Sequence, residues 1–218
     1  MKLRLACLLF VVLASACAPA TGFGTIVGES TSVPAPTSSA APVPRDVPTE
    51  THTGRGDGEF ATTWPADQLG FFTFDCPKCS ANVIIDTDGG EHGLVNAIGA
   101  DKGTTWLNTY PERPTRKVTV HANASWTATI ADYRSLPVAA AGATASGKGD
   151  AVFRIPSGVE TVAFTAKTRG NVALWVHSEE VRDLLVNAIG DQSKTVQVTG
   201  PAFLRVDGYE ASWTITPS

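Results

Sequence analysis

The chain has 218 residues, with 17 Lys and Arg against 21 Asp and Glu, which gives a net charge of −4 when His is neutral. An acidic chain repels phosphate backbones and anionic headgroups, so the composition argues against a nucleic-acid partner and against electrostatic docking to a membrane. About 160 residues follow the N-terminal segments, which is enough for one large or two small domains.

The N-terminus has the three parts of a secretory signal peptide. Lys2 and Arg4 precede an apolar run over residues 5–13, and small residues follow it. The run is shorter than the roughly 20 residues that a membrane-spanning helix needs. We therefore predict a signal peptide over residues 1–16. Its removal would leave 15 basic against 21 acidic residues, a net charge of about −6.

Residues 13–17 are Leu-Ala-Ser-Ala-Cys and resemble the lipobox of bacterial lipoproteins, although Ala14 stands where that family prefers Leu. The resemblance implies that the thiol of Cys17 receives a diacylglycerol and that Cys17 becomes the mature N-terminus. It also implies an extracytoplasmic protein that this lipid anchors to the membrane. An ordinary secretory signal with a chance cysteine is the alternative.

Residues 17–53 form the next segment. It is rich in Pro, Ser, Thr, Ala and Gly and has no apolar periodicity. Proline keeps such a segment out of helix and sheet, so we predict a disordered, partly extended tether between the lipid and the folded part.

The rest of the chain contains one module twice. The hexapeptide Leu-Val-Asn-Ala-Ile-Gly occurs at residues 94–99 and again at 185–190, about ninety residues later. Gly-x-Gly-Asp precedes each copy, at 54–57 and 147–150, and Ala-Ser-Trp follows each, at 124–126 and 211–213. A period this long indicates two small domains rather than a solenoid. We place them at residues 54–133 and 147–218, with a flexible linker over 134–146. A single sandwich built from both halves is the alternative.

Short segments rich in Val, Phe, Thr and Trp, separated by Gly, Pro, Asn and Asp, predict β-strands. They lie near residues 59–64, 71–75, 83–86, 94–98, 104–107, 117–121 and 125–130 in the first copy, and 151–155, 159–165, 172–177, 195–198, 203–206 and 211–216 in the second. Taken without the repeat, the sequence of residues 178–190 predicts a helix. The equivalent segment of the first copy is too rich in Gly for a helix, so we predict a strand in both copies. The fold class is therefore all-β, with two tandem antiparallel β-sandwich or jelly-roll-like domains.

The Gly-Asp entry, the Leu-Val-Asn strand and the terminal Ser-Trp-Thr strand resemble a small β-sandwich repeat of secreted bacterial proteins, over nearly all of residues 54–218. More loosely, the module resembles the C-terminal domains that follow secreted bacterial peptidases. Both resemblances imply an accessory or binding role. Neither supplies a catalytic residue for this chain.

The aromatic residues divide into those that the copies share and those that they do not. An aromatic residue at the same place in both copies predicts a core anchor, which applies to Trp126 with Trp213 and to Phe74 with Phe164. The tryptophans that differ between the copies are candidates for a binding surface, with a core position as the leading interpretation for each: Trp64, Trp106 and Trp175.

Cys76 and Cys79 form a Cys-x-x-Cys pair between two predicted strands. Thiols of an exported chain tend to oxidise, and no second pair is present to complete a zinc site. Thiol–disulfide exchange proteins place the first cysteine at a helix N-terminus, which lowers its pKa, and no such helix is predicted here. We predict a disulfide that fixes a hairpin loop, with thiol–disulfide exchange as the alternative.

Three other motifs have structural interpretations. The oxygen-rich segment 86–92 lacks the ligand register of a calcium loop, so we predict a polar hairpin tip. The adhesion tripeptide Arg55-Gly56-Asp57 is matched by Lys148-Gly149-Asp150 in the second copy, which favours a turn that needs Gly. The four histidines have no metal-ligand spacing, and we predict ordinary surface positions for them: His52, His92, His121 and His177.

The chain contains no GxSxG, HExxH or phosphate-loop motif. We predict no catalytic residue, metal or cofactor. The favoured function is a lipid-anchored, non-enzymatic binding module of the cell envelope, whose partners are the membrane, through Cys17, and an envelope protein or glycan. The alternatives are a thiol–disulfide protein that uses Cys76 and Cys79, and a structural spacer without a specific ligand.

Overall fold

A computed structural model describes residues 46–179 and 181–218. The predicted signal peptide, Cys17 and most of the predicted tether lie outside the described residues. Within the described part, the chain forms sixteen β-strands and one short 3-10 helix, Tyr133–Ser135. The predicted fold class, all-β with two tandem antiparallel sandwich modules, is confirmed.

The first module consists of eight strands in two antiparallel sheets. Sheet A has the strand order β1-β8-β3-β6 and sheet B the order β2-β7-β4-β5. The strands are β1 Glu50–Arg55, β2 Gly58–Ala61, β3 Gly70–Cys76, β4 Asn82–Thr87, β5 Val95–Ile98, β6 Asp101–Leu107, β7 Lys117–His121 and β8 Ser125–Ala131.

The second module repeats this topology strand for strand. Sheet C has the order β10-β15-β12-β13 and corresponds to sheet B, and sheet D has the order β9-β16-β11-β14 and corresponds to sheet A. The strands are β9 Ala145–Lys148, β10 Ala151–Ile155, β11 Thr161–Lys167, β12 Asn171–His177, β13 Arg182–Ile189, β14 Gln192–Gln197, β15 Ala202–Asp207 and β16 Ser212–Pro217. Two four-stranded sheets connected in this order form a jelly roll.

The repeated hexapeptide forms an edge strand in both modules. Strand β5 pairs with β4 in sheet B, and β13 pairs with β12 in sheet C. The strand predicted from the repeat is therefore correct, and residues 182–189 of the second copy form a strand despite their helical pattern. Each strand ends at an exposed isoleucine, Ile98 or Ile189, followed by a glycine in the left-handed region, Gly99 or Gly190.

Strand β1 begins inside residues 17–53, which the sequence predicts as a disordered tether, and β9 begins inside residues 134–146, which it predicts as a flexible linker, so both predicted bounds are corrected. The sequences of these two strands, Glu-Thr-His-Thr-Gly-Arg and Ala-Ser-Gly-Lys, contain almost no large apolar residue. Each nevertheless pairs with the last strand of its module, β1 with β8 and β9 with β16. Partner strands supply the hydrogen bonds that hold these segments, and this contribution leaves no pattern in the segments themselves.

The segment between the modules packs against the second one. The backbone N–H of Ala139 donates to Arg154 O at 2.8 Å, and that of Gly142 donates to Pro217 O at 2.7 Å. Leu136 and Ala139 are buried. Residues 134–146 therefore include an ordered connection, although their small side chains predict a flexible linker.

Each module has its own core, formed by the inward-facing side chains of its two sheets. Trp126, Phe74, Trp213 and Phe164 are all buried there, as predicted for aromatic residues that both copies share. Alternate residues of a strand point to opposite faces, so the same strands also present an outer face.

A third apolar cluster joins the modules through these outer faces. Phe71 of β3 and Trp106 of β6 point out of sheet A and pack with residues of sheet C and of the connecting segment. Their neighbours include Val152, Phe203 and Trp175, and the rings of Phe71 and Phe203 are 5.0 Å apart. Both modules lie in one compact unit.

The outer face of sheet D has a different character from that of sheet A. It presents threonine hydroxyl groups that bond to each other: Thr165 of β11 bonds to Thr214 of β16 at 2.6 Å, and Thr144, just before β9, bonds to Thr216 of β16 at 2.8 Å. The strand register places Thr161 and Gln197 where sheet A has Phe71 and Trp106.

Candidate binding cavity between the modules

The Gly-x-Gly-Asp sequences form matching turns beneath the buried tryptophans. The indole N–H of Trp126 donates to Gly56 O at 2.9 Å, and Gly56 has a φ of 72°, so the turn needs glycine there. A Cβ on Gly54 would lie 2.2 Å from the Trp126 ring. In the second module, the indole N–H of Trp213 donates to Gly149 O at 2.7 Å. A Cβ on Gly147 would lie 2.4 Å from the Trp213 ring.

The aspartate of each turn fixes the loop that precedes the last strand. Asp57 accepts a hydrogen bond from the N–H of Ala122 at 3.1 Å, and Asp150 accepts one from the N–H of Gly208 at 2.8 Å. The prediction that Arg55-Gly56-Asp57 is a turn is therefore confirmed. The two turns differ in their surroundings, because the Asp150 turn faces the other module.

A cavity of about 250 Å³ lies where the modules meet. The first module contributes its Leu-Val-Asn-Ala-Ile strand and the start of β6, and the second contributes the Lys148–Asp150 turn and the end of β15 with the loop after it. The N–H of Thr104 donates to Asp150 O at 3.2 Å and holds the two walls together. Neither module could form this cavity alone.

The floor of the cavity carries closely spaced charges. The guanidinium of Arg205 lies 2.8 Å from Asp207, and Lys102 lies 2.9 Å from Asp75 at the edge of the first module. Burial, together with the negative charge of Asp207, raises the pKa of Asp150 to about 6, against the opposing hydrogen bond from Gly208.

The surroundings of the neighbouring Asp101 carboxyl also disfavour its ionised form. Burial and the charge of Asp75 raise the pKa of Asp101. Its own negative charge contributes to the raised pKa of Asp150. The cavity thus holds two carboxyl groups, one from each module, whose ionised forms the surroundings disfavour.

Tyr209 and Ile98 form an apolar part of the cavity rim. Tyr209 is 41% exposed and Ile98 is 65% exposed. The Tyr209 hydroxyl donates to the Ile98 carbonyl at 2.6 Å, which fixes the ring at the cavity mouth. Tyr209 belongs to a loop with one residue more than its counterpart in the first module, so the repeat does not predict it.

The three candidate tryptophans do not form an exposed binding surface. Trp64 is fully buried in the first module, where its indole N–H donates to Gln68 O at 3.0 Å. Trp106 is 1% exposed and Trp175 is half-buried, and both lie in the cluster between the modules. The suggestion of a recognition surface is corrected for Trp64, which the core of the first module buries, and for Trp106, which the contact between the modules buries.

Cys76 and Cys79 form a disulfide with an S–S distance of 2.02 Å. It connects the end of β3 to the turn that follows, and both cysteines are buried. A buried sulfur pair offers an attacking thiolate little access, so the geometry favours the structural disulfide over exchange.

The acidic segment 86–92 uses its oxygens within the protein. Asp88 accepts the backbone N–H groups of Arg116 and Lys117, and these bonds lower its pKa. Asp86 accepts the N–H of Gly93. Among the described residues, no group of three His, Cys, Asp or Glu side chains is arranged to hold a metal ion.

His177 departs from the predicted surface position. Its ring lies 5.7 Å from that of Trp106 at the module interface, and burial together with the charge of Arg182 lowers its pKa. The alternation of β12 could have indicated an outward-facing ring, but only the packing of the modules shows that this face is covered.

The residues of the cavity were not candidates in the sequence analysis. Asp101, Arg205 and Asp207 belong to no sequence motif, and the Gly-x-Gly-Asp motif predicts only a turn at Asp150. Their proximity depends on how the modules pack, which leaves no signal in the sequence. Across residues 46–179 and 181–218, no helix is long and apolar enough to cross a membrane.

No protein-family model and no curated protein matches the chain. Among solved structures, it is similar to a conserved protein of unknown function from Pseudomonas aeruginosa, with 11% identity, 77% of this chain and 76% of that chain covered, and a TM-score of 0.25. It is also similar to the regulatory subunits of a cAMP-independent protein kinase A from two trypanosomes. For Trypanosoma brucei the identity is 9%, the coverage 78% and 74%, and the TM-score 0.23. For Trypanosoma cruzi, whose subunit is bound to guanosine, the identity is 12%, the coverage 78% of this chain and 72% of that chain, and the TM-score 0.25. At these TM-scores the similarities carry no argument about function.

Proposed function

We propose that this protein is a lipid-anchored, extracytoplasmic surface protein whose two modules bind an envelope ligand, a glycan or a protein, in the cavity at their junction. The cavity carries the proposal. Both copies of the repeat contribute to it, and it combines carboxyl groups, a guanidinium and an exposed aromatic ring, which is the mixture of groups that orients a polar ligand. The proposed role is binding without catalysis.

Export is supported by two independent observations. The first is the signal and lipobox sequence that ends at Cys17. The second is the disulfide between Cys76 and Cys79, because structural disulfides persist mainly in oxidising compartments outside the cytoplasm. The predicted tether, which can extend only to the start of β1 at Glu50, would then hold the modules away from the membrane surface.

Membrane attachment is tested by substituting the lipidated residue. Cys17→Ala should release the protein from the membrane fraction after a high-salt wash, because the anchor would be the diacylglycerol. Ala14→Leu, which brings the sequence closer to the lipobox, is the matched control and should stay membrane-bound. Sedimentation of Cys17→Ala with the membranes would contradict the lipoprotein assignment.

Ligand binding is tested by blocking the cavity at one copy of the repeat. Asn96 lines the cavity, whereas Asn187, its equivalent in the second hexapeptide, is exposed elsewhere. Immobilised Cys17→Ala protein should retain a component of envelope extract, Asn96→Trp should lose it, and Asn187→Trp should keep it. Equal retention by both variants would place binding outside the cavity, and no retention by any form would favour a structural spacer.

A further inference from the structure

Two carboxyl groups of the cavity, those of Asp101 and Asp150, have no ion-pair partner among the described residues, although the positive charge of Arg205 opposes the rise in the pKa of Asp150. Lys102 is paired with Asp75, and Arg205 is paired with Asp207. Lys148 and Glu210 lie exposed on the outer rim and have opposite signs. Within the described part of the chain, neither Asp101 nor Asp150 forms an ion pair with a cation.

Burial makes this imbalance costly when both groups are ionised. One oxygen of Asp150 is satisfied by the N–H of Gly208 at 2.8 Å, but a hydrogen bond does not neutralise the charge. Asp101 and Asp150 come from opposite walls, and each is less stable as an anion because of neighbouring carboxylates. A cation between them would relieve both the repulsion and the loss of hydration.

The size and rim of the cavity indicate what the cation is attached to. Its volume of about 250 Å³ is below the roughly 300–1,000 Å³ of sites for drug-sized ligands, which suits one ring-sized unit. The exposed faces of Tyr209 and Ile98 provide an apolar surface beside the charged floor, on which the C–H face of a sugar ring can pack. The exposed amide of Asn96 and the Lys148 ammonium can bond to hydroxyl groups.

We propose that the cavity binds an amino sugar, with its protonated amine between Asp101 of the first module and Asp150 of the second and its ring against Tyr209. This inference rests on the proposed function, because it names the class of ligand for the same cavity. The ligand would bridge the modules and add a contact between them.

Because the pKa of Asp150 is raised, the affinity for an ammonium group should depend on pH. An ammonium group pairs with the carboxylate and not with the neutral acid, so affinity should increase as the pH rises through about 6, where Asp150 loses its proton. The surrounding groups that also affect this charge are Asp75, Asp101 and Lys102 of the first module and Lys148, Arg205, Asp207 and Glu210 of the second.

The test is a calorimetric or NMR titration of the full chain carrying Cys17→Ala. Three sugars serve as probes at pH 5 and pH 7.5: glucosamine, which has the amine, N-acetylglucosamine, in which it is blocked, and glucose. Cadaverine supplies amines without a ring. Glucosamine should bind at least tenfold more tightly than the other three and more tightly at pH 7.5 than at pH 5. Equal binding of N-acetylglucosamine would overturn the role of the amine, and equal binding of cadaverine would overturn the role of the sugar ring.

The variants Asp101→Asn and Asp150→Asn should each weaken glucosamine binding at least tenfold. Asp57→Asn is the matched control, because Asp57 accepts the equivalent loop hydrogen bond in the first module but lies outside the cavity. Unchanged binding in Asp101→Asn, which caps no loop, would overturn the proposal even if Asp150→Asn folds poorly. If an envelope component is retained by the cavity while glucosamine fails to bind, the amino-sugar inference fails and the proposed binding function stands.

Discussion

The hydroxyl group of Tyr209 donates a hydrogen bond to the carbonyl of Ile98 at 2.6 Å and thereby joins the two copies of the repeat across 111 residues of sequence. Ile98 ends the repeated hexapeptide of the first module, while Tyr209 lies in a loop that only the second module has at this length. The bond therefore links a feature that the copies share to one that they do not. It shows how two similar modules form an asymmetric junction.

We predict that Gly147→Ala and Gly54→Ala destabilise the protein by about 1–3 kcal/mol each, since overpacking has costs of this size. The added Cβ would lie 2.4 Å from Trp213 in one case and 2.2 Å from Trp126 in the other. Gly170→Ala is the control, because its nearest neighbour would be at an ordinary 3.7 Å. Urea unfolding followed by fluorescence measures all three, and equal stabilities would contradict the packing of the turns against the indoles.

We predict that Trp213→Ala lowers the stability of the second module by about 3–5 kcal/mol, because it empties a large buried site. It should also lower the transition of the first module in differential scanning calorimetry. Phe71 and Trp106 are buried by the second module and would become exposed when that module unfolds.

The control for this coupling is Phe71→Ala, which weakens the contact between the modules while leaving both cores intact. In a Trp213→Ala/Phe71→Ala protein, the two mutations should combine less than additively for the first module. A first-module transition that does not move in Trp213→Ala would show that the interface contributes little to stability.

We predict that replacing both Cys76 and Cys79 with Ala costs about 2 kcal/mol of unfolding free energy, since the disulfide closes a loop of only about four residues. Both cysteines are buried, so the native disulfide should resist dithiothreitol until the first module is unfolded by urea. Mass spectrometry of alkylated protein measures this. Rapid reduction in the native state would revive the thiol–disulfide exchange function.

We predict that Asp150 makes stability fall as the pH rises from about 4 to 6. Its pKa in the fold is about 6, above the ordinary value of 3.8, so the fold favours the protonated form. The contribution is present below about pH 4 and is lost as the pH rises through 6, with a size on the order of 3 kcal/mol. Asp150→Asn should flatten this part of the stability profile measured by urea unfolding, and an unchanged profile would contradict the raised pKa of Asp150.

The fold could be predicted from the sequence to the extent that strands carry a local pattern. Thirteen predicted segments coincide with strands, because apolar residues alternate there and turn residues separate them. The repeat also decided between helix and strand for residues 185–190, where the local pattern alone indicates a helix. Strands β1 and β9 could not be predicted, since their stability comes from β8 and β16 rather than from their own side chains.

The candidate cavity could not be predicted from the sequence, for a related reason. Asp101 and Asp150 are 49 residues apart in sequence and belong to different modules. Their proximity follows from the packing of sheet A on sheet C, and that packing is specified by single residues such as Phe71 and Trp106. These two residues differ from their counterparts in the other copy, so a comparison of the repeats does not reveal their common role.

The threonine-rich outer face of sheet D differs from the apolar outer face of sheet A, and this difference limits how the modules can associate. Sheet A uses Phe71 and Trp106 to attach to its neighbour, whereas sheet D has Thr161 and Gln197 at the same positions. Sheet D therefore lacks the apolar side chains with which sheet A contacts sheet C. The outer face of sheet B likewise has Glu59 and Lys117 where sheet C has Val152 and Phe203, so neither free face can repeat the contact and head-to-tail association of copies is disfavoured.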